Sequence, residues 1–214
     1  MSSRARRRAR HNPGVVEGRR AFLLLALVGL LVAATYLLPA LNVGPFGDDE
    51  AERPARDVPA HGCDGAREEP GGDLRAAERA TLCLLNAERR AAGRSPLRTD
   101  GALRRAALAH SEDMVARDFL EHRNPDGLEA HDRIVRAGYR LRRGGFSTGE
   151  NLATGPAGAD SPAVIVDGWM HSPGHRRNIL RRGFREIGIG IVAEQQGGGE
   201  GATYTTTFGG TAEG

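Results

Sequence analysis

Three side chains in this sequence have the chemistry of a metal or acid–base site: His122, Glu150 and His175. His122 closes the stretch Phe119-Leu120-Glu121-His122, Glu150 sits in Gly149-Glu150-Asn151-Leu152, and His175 lies in Trp169-Met170-His171-Ser172-Pro173-Gly174-His175. Two imidazoles, one carboxylate and an open position suit a divalent metal such as zinc with a bound water. No compact ligand pattern such as H-E-x-x-H links them, so only the fold can bring them together. His175 falls at the third position of a helix opened by Ser172-Pro173, where the positive end of the helix dipole disfavours imidazolium. A neutral imidazole there serves equally as a metal ligand or as a partner for a loop carbonyl. Glu150 lies in an apolar segment, and a buried carboxylate requires a partner. That partner is either one of the many arginines or the histidines of a site in which Glu150 acts as ligand or as acid/base. Ser172, with His175 and Glu150, completes a drawable Ser-His-carboxylate triad. It has no G-x-S-x-G surroundings, and its place before Pro173 fits helix capping better. Asn151, Ser172 and the single tryptophan, Trp169, are expected to line the cleft.

Local patterns indicate which elements hold these residues. Asp73 caps a helix running to about Ala92, with Leu74, Ala77, Thr81, Leu84, Leu85 and Glu88 on one stripe, and with Asn86, Glu88 and Arg89 as its polar end. Asp100 caps a second helix whose face of Leu103, Ala106, Ala107, His110 and Met114 points inward, which makes His110 structural. Asn124-Pro125-Asp126-Gly127 is a turn, so His122 lies in irregular backbone at the exit of that helix. A third short helix carries His131, Ile134 and Val135, and Tyr139 with Leu141 suggests a short strand. Ser161-Pro162 and Ser172-Pro173 each open a helix. Two alternating runs, Ile187–Val192 and Tyr204–Phe208, read as strands of a hairpin whose loop spans Gln195–Gly201.

The N-terminal third has a different character. Seven arginines against one glutamate sit in residues 1–20, which leaves the remainder of the chain net negative. The basic character is therefore a tail, and without an aromatic-interleaved basic stripe nucleic-acid binding has little support. Residues 21–41 carry no charge, and a helix of that length spans about 30 Å, the thickness of a bilayer core. The arginine asymmetry places residues 1–20 in the cytoplasm and the rest outside as a single-pass membrane protein. Secretion after signal cleavage is the alternative, with Arg19-Arg20-Ala21-Phe22-Leu23 resembling a twin-arginine signal. Residues 42–72, rich in Pro, Gly and mixed charge, read as a linker, leaving 73–214 as the folded domain. The two cysteines, Cys63 and Cys83, are expected to pair outside the cell, closing a loop of about 20 residues for roughly 3 kcal/mol in the chain-entropy treatment. The alternative is a buried Cys83 with a free Cys63.

Seven blocks, taken in order, resemble one known family. They are Leu85-Asn86-Ala87-Glu88-Arg89, His110-Ser111-x-x-Met114, Phe119-x-x-His122, Gly149-Glu150-Asn151-Leu152, Trp169-x-x-Ser172-Pro173-Gly174-His175-Arg176-x-Asn178-Ile179-Leu180, Ile187-Gly188-Ile189-Gly190 and Tyr204-Thr205-x-x-Phe208-Gly209. From Asp73 to Gly209 the chain resembles the CAP superfamily of cysteine-rich secretory proteins, antigen 5 and pathogenesis-related proteins, in its cysteine-poor bacterial branch. The resemblance implies an α+β fold, an α-β-α sandwich with a small antiparallel sheet between helical layers, preceded here by one transmembrane helix. It also implies a cleft of two His and two Glu that binds zinc or another divalent cation in some members. His122, Glu150 and His175 match three of those four groups; Ser172 stands where the second Glu belongs, which weakens the case for proteolysis.

The resulting expectation is a membrane-anchored extracytoplasmic domain whose cleft binds a divalent metal or a small lipid, peptide or cell-wall ligand. The alternatives are a metal-dependent hydrolase acting on peptide or envelope substrate, with Glu150 as its base, and a structural envelope protein with a vestigial cleft.

Overall fold

A computed structural model describes residues 62–140 and 146–211. The leader 1–20, the apolar stretch 21–41, the linker up to residue 61 and the expected strand residue Leu141 lie outside the described residues. Among the described residues no helix is long and apolar enough to cross a membrane.

Five helices surround a four-stranded sheet among the described residues. Helix α1 (Leu74–Ala91) starts at Asp73, whose Oδ1 accepts from the backbone N–H of Arg75 at 2.9 Å and of Ala76 at 3.0 Å. It ends where Gly93 turns left-handed (φ +67°) and Arg94 N–H reaches back to Arg89 O at 2.8 Å, satisfying orphan carbonyls. Strand β1 (Arg98–Thr99) leads to Asp100, which caps α2 (Gly101–Arg117) through Ala102 N–H and Leu103 N–H. The inward face of α2 is the expected one: Leu103, Ala106, Ala107, His110 and Met114 are all buried. Helix α3 (Ala130–Arg136), the short helix expected to carry His131, Ile134 and Val135, buries Arg133 and Ile134 and leaves His131 and Val135 exposed. The buried guanidinium of Arg133 is held there by the carboxylate of Glu150. Tyr139, expected to begin a strand, follows the turn after α3 in irregular backbone, and its hydroxyl donates to Glu186 at 2.7 Å.

Strand β2 (Phe146–Pro156) precedes α4 (Pro162–His171) and α5 (Pro173–Leu180). Ser161 and Ser172 occupy the N-cap positions with proline following, but neither serine side chain makes the capping hydrogen bond. Strands β3 (Phe184–Val192) and β4 (Gly201–Thr211) form the expected hairpin. Sheet order is β1-β3-β4-β2; β1 runs parallel to β3 for two residues and the other pairings are antiparallel.

The two faces of the sheet are built differently. Ile187, Ile189, Ile191, Tyr204 and Phe208 join Leu84, Leu85 and Trp169 in one core beneath α1 and α4. On the opposite face Gly188 and Gly190 lie against α2, where a Cβ at either would overlap the backbone of Leu103 or Leu108. The helix therefore rests on strand backbone. Threonines hold it there: Thr207 Oγ1 donates to Leu103 O at 2.9 Å and Ser111 Oγ donates to Thr205 Oγ1 at 2.8 Å.

Two further staples fix the layers. Cys63 and Cys83 form a disulfide across a sequence separation of 20. Gly62–Gly72, within the stretch read as linker, is a series of turns in which Cys63 and Ala66 join the core, and Ala66 O accepts from Ala163 N–H at 2.8 Å. Arg89, read as part of a polar helix end, is fully buried. Its guanidinium donates to Ser95 O, Ile179 O, Arg181 O and Phe184 O, tying the end of α1 to the end of α5. Burial lowers its pKa to about 10.

Candidate functional site

Successive residues of β2 face opposite sides of the sheet, and β2 is an edge strand. Glu150 turns towards α2 and α3, while Asn151 turns towards α5. The carboxylate of Glu150 is closed to solvent, its side chain 2% exposed. Arg133 Nη2 reaches both of its oxygens, at 2.9 and 2.8 Å, and His122 Nδ1 lies 2.9 Å from Oε1. A buried carboxylate is thus held by a guanidinium of α3 and an imidazole from the loop after α2. The imidazole of His122 is 54% exposed, so its other nitrogen is on the solvent side.

Hydrogen bonding to Glu150 raises the His122 pKa above the usual histidine value, with burial opposing and the carboxylate charge assisting. Because a carboxylate only accepts, the proton at this contact belongs to Nδ1, and Nε2 is the atom left for a ligand when the ring is neutral.

His175 stands at the third residue of α5, as expected from Ser172-Pro173. Asn151 and Asn178 anchor that turn to β2. Asn151 Nδ2 donates to His175 O at 3.2 Å, and Asn178 Nδ2 donates to Glu150 O at 3.1 Å and to Asn151 Oδ1 at 3.0 Å. Burial lowers the His175 pKa, and the charge of His122 adds to the effect, so the two imidazoles sense one another. The neutral form of His175 is favoured, the form a metal ligand needs.

The remaining sequence candidates fall in supporting positions. Trp169 is core: its Nε1–H donates to Leu152 O at 3.0 Å and its ring meets Tyr204 edge-on at 6.4 Å. Asn151 is fully buried and ties strand to helix; Ser172 is half-buried at the helix start.

The donor set bears on the expected metal. Among the described residues no group of three or more His, Cys, Asp or Glu is placed to hold a metal ion. Glu150 engages both oxygens with Arg133 and His122, which sets it behind the imidazole as an orienting carboxylate. Two imidazoles remain as candidate donors, His122 Nε2 and His175, the first backed by a carboxylate as the imidazoles of metal sites commonly are.

Sequence reasoning missed two members of the site. Arg133 is the partner that Glu150 requires; twenty-one arginines follow Gly62, and nothing local distinguishes this one. His110 belongs to the same cluster. It is fully buried, its Nε2–H donates to Glu121 O at 3.0 Å, and Nε2 lies 3.9 Å from Glu150 Oε1. Burial lowers its pKa, which favours the neutral ring at this contact. By holding Glu121 O it places the residue next to His122, which extends its expected structural role to the site.

Comparisons agree with this architecture. The protein YkwD of Bacillus subtilis (strain 168) is 36% identical over 115 residues, covering 54% of this chain and 42% of that protein. YlbC of the same organism, described as a membrane protein, is 28% identical over 114 residues, covering 53% of this chain and 31% of its own length. The chain therefore spans less than half the length of these relatives. The crystal structure of an extracellular protein containing an SCP domain from Bacillus anthracis str. Ames aligns with a TM-score of 0.52 at 25% identity, over 65% of this chain and 40% of that one. The sequence matches the profile of the cysteine-rich secretory protein family, CAP, over residues 82–208, more than half of the chain. It belongs to the CAP family, in its bacterial form.

Proposed function

We propose that the chain is a membrane-tethered, extracytoplasmic CAP domain whose His122/His175 pair binds a divalent metal, zinc by donor type, or through it a small envelope ligand. One observation carries this reading: the 2.9 Å contact between His122 Nδ1 and the buried carboxylate of Glu150, itself neutralised by Arg133. The contact fixes the ring and leaves Nε2 for a ligand, and burial favours the neutral form of the second imidazole, His175. A bound zinc would polarise a water or an oxygen ligand at this surface. The carboxylate that a hydrolase would need as base is closed to solvent and engaged on both oxygens, which favours binding over turnover.

The location follows from the charge-free stretch 21–41 behind an arginine-rich leader, and from the disulfide, which suits an oxidising compartment. One relative described as a membrane protein and one structural relative described as extracellular support the same placement.

Metal analysis of the detergent-purified whole chain tests the proposal. About one equivalent of zinc in wild type, lost in the His122→Ala/His175→Ala variant, is the expected result. Glu150→Gln should weaken binding by about 10–100-fold through loss of orientation. No metal uptake by the wild-type chain would leave the vestigial reading standing.

A further inference from the structure

Two stretches of the domain are strongly biased in charge. Residues 89–98 hold four arginines and residues 176–185 hold five, with no Asp or Glu in either. The fold brings the two stretches together: Arg89 bonds to Ile179 O, Arg181 O and Phe184 O, and Arg94 Nε donates to Leu180 O at 3.1 Å. Arg94 and Arg185 are near enough to Arg89 to depress its pKa further. Among the described residues, Arg90, Arg94, Arg177, Arg181, Arg182 and Arg185 form no ion pair with any carboxylate. Some arginines elsewhere in the domain do pair, Arg75 and Arg104 with Glu78 and Arg117 with Asp113 and Asp126, whereas Arg67, Arg105 and Arg136 form no ion pair among the described residues.

Helix termini explain part of this. Both stretches include the C-terminal end of a helix, where cations satisfy carbonyls and complement the dipole. Arg89 and Arg94 do so, and Arg185 donates to the carbonyls of Arg182 and Phe184. Arg181 stacks its guanidinium over the Phe184 ring at 5.1 Å. Arg90, Arg177 and Arg182 do none of these things: they are exposed and make no side-chain hydrogen bond among the described residues. A helix-capping role leaves these three unexplained, and each offers up to five N–H donors to a phosphate.

We propose that this arginine surface is a docking face for anionic phospholipid headgroups of the bilayer to which the chain is tethered. The proposal rests on the membrane-anchor reading. The disulfide fixes the tether at Cys83, and Arg90 lies two turns further along α1, about 10 Å away. Residues 42–61 are all that separates the apolar stretch from the described domain, and that length of chain reaches at most about 70 Å even fully extended. Lipid-bound in this way, the domain would be oriented as well as tethered.

The test uses the whole chain in nanodiscs of phosphatidylcholine alone or with added phosphatidylglycerol, read by backbone hydrogen exchange in residues 89–98 and 176–185. Exchange in both segments should slow by about tenfold on the anionic discs, and high salt should reverse it. The Arg90→Gln/Arg177→Gln/Arg182→Gln variant removes only side chains that make no hydrogen bond or ion pair among the described residues, and Trp169 fluorescence checks that it folds; it should lose the slowing. Equal exchange on neutral and anionic discs, or slowing that the variant retains, would overturn the proposal. Slowing by inorganic polyphosphate but not by the anionic bilayer would also overturn it, in favour of a soluble polyanion. If alkaline carbonate strips the chain from bilayers, the anchor reading alone falls. The same exchange measurement with added phosphatidylglycerol vesicles then decides the docking face by its presence or absence.

Discussion

Replacing Arg133 by methionine is the most informative perturbation of the site. The guanidinium reaches both oxygens of Glu150 through Nη2, at 2.9 and 2.8 Å, and both side chains are at least nine-tenths buried. Breaking a buried pair by removing one partner costs about 3–5 kcal/mol, because the other charge is left uncompensated. His122 remains as a neighbour, but it is half-exposed and its attraction is screened, so it offsets little. The expected loss is therefore about 3 kcal/mol or more at neutral pH. Urea unfolding followed by the fluorescence of the single tryptophan, Trp169, measures it as a lower midpoint at unchanged slope. Arg133→Met/Glu150→Leu should recover most of the loss, since apolar replacement of a whole buried pair is often neutral. A loss below about 1 kcal/mol for the single variant, or a double variant no more stable than the single one, would refute the buried-pair reasoning.

Other expectations follow from the same geometry. His122 has a folded-state pKa raised by Glu150. The stability it contributes is therefore complete below its unfolded-state pKa and fades as pH rises through the folded value. Glu150→Gln should flatten that pH dependence of the urea midpoint. His175 should titrate below His122 in a proton NMR series, and His122→Ala should move it upward by removing a nearby charge. Cys63→Ser/Cys83→Ser opens a loop with a sequence separation of 20 and should cost about 3 kcal/mol, a fall of the melting temperature on the order of 10 °C. Gly188→Ala places a methyl against the Leu103 backbone and should destabilise by about 1–3 kcal/mol or more, because α2 must shift away from the sheet.

Much of the fold was legible because its signals are local. Asp73 and Asp100 cap helices by their own chemistry, and Gly93 ends one for the same reason. The isoleucines of β3 alternate with Gly188 and Gly190, a period that reads as a strand with one bulky and one bare face. Strand β2 was hidden, since FSTGENLATGP has no such alternation; one of its sides meets a buried ion cluster and the other an asparagine network. The pairing of Glu150 with His122 was foreseeable from the resemblance to a family. Its dependence on Arg133 was not, because that contact is made between α3 and β2, which share no local pattern. Arg89 was misread for the same reason: four carbonyl partners, three of them beyond residue 178, turn a helix-end cation into a buried anchor.

Central to this site is the way Glu150 sets the ring of His122. Nitrogen-15 NMR of the histidine rings, above the pKa of His122, measures this directly. A neutral ring protonated at Nδ1, reverting to the usual Nε2–H form in Glu150→Gln, with zinc perturbing the Nε2 resonance of the wild type, is the predicted result. An Nε2-protonated His122 that is indifferent both to the glutamine substitution and to zinc would contradict it.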